Sequence, residues 1–163
     1  TFKDFRGISL LSVLSKWYMG GLMELIRDWM TTSCPTRWKS LMIFGFEPAH
    51  SPDQIQTSIS MLLQKGAEWS QQLPVFVLSA DVLSAFDYLT PSAVQEAEIY
   101  WGLPPDLCAA MSQESVGLSC KASLLSMEAQ EVPLSACERQ GGVETTWKWN
   151  MVMRMVLDMV IDK

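Results

Sequence analysis

The chain has one histidine, His50, in 163 residues, and no Asp-Asp pair. Its four cysteines, Cys34, Cys108, Cys120 and Cys137, include no pair at C-x-x-C spacing. One histidine and scattered thiols cannot complete the usual Cys/His zinc set, so four reduced cysteines, partly in the core, are the expected reading. Unpaired cysteines of this kind read as reduced thiols, which predicts a cytoplasmic or nuclear setting. No apolar run reaches the roughly 18 residues needed to cross a bilayer, and the most apolar tail, 151–161, is interrupted by Arg154 and Asp158. A membrane is therefore not expected as a partner. No basic segment followed by an apolar one opens the chain, so no signal peptide is read, and the absence of a leading Met suggests a piece of a longer product. No internal repeat or low-complexity segment is present.

Basic residues are also scarce. Twelve Lys and Arg face 18 Asp and Glu, for a net charge of −6. Such a balance runs against nucleic-acid binding. The charge is uneven, however. Residues 1–39 carry Lys3, Arg6, Lys16, Arg27, Arg37 and Lys39 against Asp4, Glu24 and Asp28, a net of +3, which leaves −9 for the remainder. A basic amino end on an acidic body could hold phosphates at one end and cations at the other.

What the chain does have is apolar bulk: 48% hydrophobic residues, with 11 Met and 7 Trp. That suffices for a packed core with an adaptable filling. Helical spacing of Leu11, Leu14, Tyr18, Leu22, Leu25 and Ile26 predicts a helix over 9–30, weakened or bent at Gly20-Gly21. Ser51-Pro52-Asp53-Gln54 is a helix start with capping-box spacing, and the helix should reach about Trp69. Pro74 to Ala80 reads as a strand. Thr90-Pro91 opens a helix ending near Gly102, and Pro104-Pro105 opens a shorter one to about Ser115. Segments 118–128 and 131–137 are strand-like and could pair. A last helix, 146–161, carries one polar stripe (Asn150, Arg154, Asp158, Asp162), which predicts burial over the rest of its circumference. Helices outnumber strands without regular βαβ alternation, so the expected class is α+β, helix-rich with a small antiparallel sheet.

The segment richest in chemistry is Asp81-Val82-Leu83-Ser84-Ala85-Phe86-Asp87, directly after the expected strand. A carboxylate at a strand's end can hold a divalent cation rigidly, and magnesium needs only one or two carboxylates beside its waters and substrate phosphates. An Asp there is also a common turn residue. Downstream, Arg139-Gln140-Gly141-Gly142 is a turn in which adjacent glycines permit close backbone approach. Upstream lies Phe5-Arg6-Gly7-Ile8-Ser9-Leu10-Leu11, and between them Gly45-Phe46-Glu47-Pro48-Ala49-His50-Ser51.

In this order the four blocks resemble those of reverse transcriptases of the non-LTR retroelement and group II intron type, over nearly the whole chain. The resemblance implies a partial fingers–palm fold, with residues 1–73 fingers-like and 74–163 an incomplete palm. It implies that Asp81 is catalytic and binds Mg2+, that Phe86 packs under the sugar, and that Asp87 is structural. Gln140 and Gly141 would face the templating base and incoming nucleotide, supported by Arg139 and Gly142. Arg6 would contact the triphosphate, with Lys3 as a second candidate. RNA template, DNA primer and deoxynucleotides would be the partners of the full-length protein.

Several positions depart from the family's pattern. Ser84 stands where a basic residue is usual, Gly7 replaces a Pro, Glu47 and His50 replace two Arg, and Thr145-Thr146 replaces a Ser-Pro. The family's next block, Tyr/Phe-x-Asp-Asp, has no counterpart in this sequence, so the chain alone is expected to be inactive and poorly soluble or loosely folded. The alternative is a non-catalytic retroelement remnant acting as a nucleic-acid or protein binding module.

Overall fold

Local capping signals set where the helices begin. In the computed structural model, which describes residues 10–34, 36, 38, 43–46, 50–69, 74–113, 115, 119–122, 130–133 and 141–161, α1 spans Val13–Thr32. Ser12 caps it, its hydroxyl accepting from the Ser15 N–H at 3.1 Å. Helix α2 spans Pro52–Glu68, and the Ser51 N–H donates to Gln54 Oε1 at 3.2 Å, half of the capping box that the spacing predicts. Helix α3 spans Pro91–Trp101 behind Thr90, whose hydroxyl accepts from the Ala93 N–H. Gly102 closes it in the left-handed region at φ 74°, where a Cβ would be strained, and its N–H returns to the Ile99 carbonyl at 3.1 Å. Helix α4 spans Pro105–Gln113 and α5 spans Thr145–Ile161.

The chain divides into two compact units, 1–41 with 84–163, and 42–83. In the first, α3 packs chiefly against α5, and α1 against α4. Their facing residues form the core: Met19, Leu22, Met23 and Ile26 of α1, Val94, Ala97 and Trp101 of α3, Met111 of α4, and Trp147, Met151 and Met155 of α5. Trp38 completes it, edge-on to Trp101 at 5.1 Å and tilted against Trp147 at 6.5 Å. The Trp101 indole donates to the Met151 carbonyl at 3.1 Å, so this large ring is both buried and satisfied. The second unit holds α2, which is exposed along nearly all its length, and the stretch 74–83.

The expected α+β palm with a small antiparallel sheet is not what forms. The fold is helix-rich, with five helices among the described residues. Residues 74–80, expected to form the strand carrying Asp81, have no regular secondary structure. A β-branched run becomes a strand only where a neighbour completes its ladder and covers a face. Here Phe76 and Leu78 are 89% and 94% exposed. The only strand pairing among the described residues is a ribbon of four residues a side, β1 (Ser119–Ala122) antiparallel to β2 (Gln130–Pro133), with Cys120 opposite Val132. Among the described residues it joins no other strand.

Helix α5 is a second correction. Its polar side chains turn inward: Lys148, Asn150, Arg154 and Asp158 are all buried, while Val156, Leu157, Met159, Val160 and Ile161 are exposed. Among the described residues, no helix is long and apolar enough to cross a membrane.

Candidate functional site

Asp81 lies in the irregular stretch of the 42–83 unit with its side chain exposed. The backbone turns just beyond it. Ser84 sits in the left-handed region at φ 51°, uncommon for a residue with a Cβ. Its carbonyl accepts from the N–H groups of Asp87 at 2.9 Å and Tyr88 at 3.3 Å. That tight turn leaves Asp87 exposed and half-buries Phe86. The Phe86 ring meets Trp149 of α5 with centroids 6.0 Å apart at 60°. Leu89, next along, is almost fully buried and anchors the turn in the helical unit.

Gly141 is also left-handed, at φ 107°, which favours glycine. Gly142 has a different constraint. A Cβ there would stand 2.6 Å from both the Glu144 carboxylate and the Thr145 hydroxyl. Both of those residues are buried at the start of α5, so the second glycine is required by packing of the helix start. Lys3, Arg6, Glu47, Arg139 and Gln140 lie outside the described residues. His50 is exposed and edge-on to Phe44 at 5.4 Å.

Of the expected site residues, the turn bearing Phe86 and Asp87 and the helix that follows Gly141-Gly142 thus meet in one unit, through Phe86 and Trp149. Asp81 belongs to the other. For a magnesium pair, the described residues offer Asp81 as one exposed carboxylate, and no three His, Cys, Asp or Glu side chains gather among them. They do not by themselves fit a two-ion centre, and no step follows through it.

The polar chemistry of the helical unit is elsewhere, around α5 and the residues packed against it. The Tyr100 hydroxyl donates to Asp158 Oδ2 at 2.7 Å. Arg154 donates to the Trp38 carbonyl at 2.5 Å and lays its guanidinium over the Trp38 ring, 4.6 Å from the centroid. Lys148 is 2% exposed and donates to the Ser115 hydroxyl at 2.9 Å. Burial pushes the Cys108 thiol up to about 11, assisted by the charge of Glu98 and a hydrogen bond to its carboxylate, which resist a second negative charge beside it. The sulfur also lies 3.6 Å from the Leu103 carbonyl oxygen, which competes for the same single proton. Such a cysteine is a poor nucleophile.

The sequence carried a trace of this arrangement. Asn150, Arg154 and Asp158 stand four apart, and so do Glu144 and Lys148. That spacing marks a polar stripe; it does not say which way the stripe faces. No family model matches this chain, and no curated protein or solved structure matches it.

Proposed function

We propose that the chain is part of a reverse-transcriptase-like protein, an RNA-directed DNA polymerase, in which Asp81 supplies one metal-binding carboxylate and the turn 84–88 with Gly141-Gly142 contributes to the nucleotide side. The reading rests on the four ordered sequence blocks. The observation that supports it best is the Phe86–Trp149 contact, at 6.0 Å, which draws the tail of the Asp81 block to the helix behind the glycine turn. Two segments more than 50 residues apart in sequence need not meet if their likeness to successive family blocks were accidental.

On this reading the 163 residues do not extend a primer by themselves, because Asp81 needs further carboxylates to hold two ions about 3.5–4 Å apart. The reading frame continued beyond Lys163 is expected to encode Tyr/Phe-x-Asp-Asp. The longer protein is expected to add deoxynucleotides to a DNA primer on an RNA template in magnesium, and Asp81→Asn in it to abolish addition. Extension by the 163-residue chain alone, or an Asp81→Asn protein as active as its parent, overturns the proposal.

A second reading, a non-catalytic remnant that binds nucleic acid or protein, is favoured by one observation: the segment bearing Asp81 is irregular and exposed. A stop codon directly after Lys163, with retained binding of an RNA–DNA hybrid or of a protein, would select it.

A further inference from the structure

The methionines of this chain differ in their surroundings. Met19, Met111 and Met151 are fully buried, whereas Met61 and Met159 are exposed. Met30 lies between these limits, partly buried against the core in the last turn of α1. Its sulfur has a defined neighbour. The Trp147 indole N–H, on α5, donates to Met30 Sδ at 3.3 Å, across 117 positions of sequence.

Both partners of this bond are held. Trp147 is buried and tilted against the Trp38 ring, with centroids 6.5 Å apart, so close packing restrains the indole. The backbone beside Met30 is closed by the Ser33 and Cys34 N–H groups, which donate to the Trp29 carbonyl at 2.8 and 3.1 Å. A thioether sulfur carries a lone pair on each side of its C–S–C plane and accepts only weakly, while an indole N–H can only donate. The indole therefore occupies one side of the Met30 sulfur and leaves the lone pair on the other side as the nucleophile. Oxygen added to one side or to the other gives opposite sulfoxide epimers, and each epimer is reduced by its own enzyme.

We propose that Met30 is a stereospecific oxidation site: hydrogen peroxide delivers oxygen to the side of the sulfur away from the Trp147 indole, so one sulfoxide epimer forms and one of the two epimer-specific reductases reverses it. In the step, the free sulfur lone pair forms the S–O bond and the peroxide O–O bond breaks. The departing hydroxide takes up the proton of the transferred oxygen and leaves as water. Sulfur is oxidised by two electrons and the peroxide is reduced, so thioether and peroxide give sulfoxide and water. The fully buried methionines are shielded from the oxidant, and the exposed ones have both sides of the sulfur open to it.

The test is a short pulse of hydrogen peroxide on the full 163-residue chain, stopped while circular dichroism is unchanged. Trypsin then places Met30 in a peptide, 28–37, that has no other methionine. Portions are treated with a reductase for one epimer or for the other, and restored thioether is read by mass spectrometry. One reductase should restore Met30 about tenfold further than the other. Exposed Met61, and Met30 oxidised in urea, should be restored by both to within about a factor of two. Trp147→Phe keeps a ring in the core and removes the N–H, so Met30 should then give both epimers. The urea comparison decides the matter even where that variant fails to fold. Equal epimers at Met30 in the folded parent overturn the proposal. So does a Met30 still reduced when Met61 is fully oxidised, or a folded Trp147→Phe chain that keeps the single epimer.

Discussion

The two compact units of this chain treat similar residues in opposite ways. Around α5, charged and polar side chains are enclosed: Lys148, Arg154 and Asp158 are buried, and named partners hold each of them. In the 42–83 unit, Val75, Phe76, Val77 and Leu78 form the most β-prone run of the sequence and stand exposed. Residue polarity alone therefore predicts neither location. In the first unit, segments packed around α5 supply the Trp38 carbonyl and ring to Arg154, the Ser115 hydroxyl to Lys148 and the Tyr100 hydroxyl to Asp158, which offsets their desolvation. In the second, among the described residues, no strand pairs with the apolar run, and α2 meets it at Gly66, where a Cβ would stand 2.8 Å from the Val75 side chain.

If that difference is energetic, substitutions in the helical unit should cost far more than substitutions in the exposed stretch. The largest effect is expected at Trp101, which is buried, edge-on to Trp38 and bonded to the Met151 carbonyl. Trp101→Ala should lose about 4 kcal/mol in urea denaturation, through the cavity and the orphaned carbonyl together. A loss below about 1 kcal/mol would mean that the contact between α3 and α5 is not a packed core.

Next is Cys108. Its thiol is pushed up to about 11 from an ordinary 9.0, first by burial and then by Glu98. A raised pKa means that the folded state holds the proton more tightly, so its contribution to stability is complete below pH 9 and is lost as pH rises through about 11. Near pH 8 the native thiolate population should be about one hundredth of that in the unfolded chain. Iodoacetamide labelling followed by peptide mapping should show Cys108 alkylated correspondingly more slowly in the native protein than in urea. Equal rates would mean that the fold does not shield the thiol.

A smaller effect isolates one bond between α3 and α5. Tyr100→Phe removes only the hydroxyl that donates to Asp158, and leaves the ring packed on Trp101 at 5.0 Å. About 2 kcal/mol should be lost, because the acceptor is a buried carboxylate. Leu78→Ser is the opposite limit. At 94% exposure it should change stability by less than about 0.5 kcal/mol and raise solubility. A loss of several kcal/mol at Leu78 would show that residues 74–80 have a partner in solution, and the contrast between the units would collapse.

The legible part of the fold was local. Ser51 with Gln54, Thr90 before Pro91, and Gly102 each carry their mechanism within three or four residues, and the observed helices start or stop beside them. Helix α1 differs by a few residues from the predicted 9–30, because Ser12 rather than an earlier residue caps it. The candidate site was less legible. The blocks around Asp81 and Gly141 are visible as motifs, yet their chemistry depends on which segments meet. The glycines illustrate this: Gly141 is explained by its own φ of 107°, whereas Gly142 is explained only by the Glu144 and Thr145 side chains that crowd it.

Periodicity and capping residues placed helices over 9–30, from Ser51 to about Trp69, from Thr90 to near Gly102, from Pro104-Pro105 to about Ser115 and over 146–161, and the observed helices lie within a few residues of these, because a helix satisfies its hydrogen bonds within its own segment. Only the tertiary structure decided that residues 74–80 would not be a strand, since a strand's bonds belong equally to a neighbour elsewhere in the chain. It decided in the same way that Arg154 and Asp158 would face the core, because the groups that satisfy them, Trp38 and Tyr100, are more than 50 residues distant. A stripe four residues apart reads identically whether it faces water or partners of that kind.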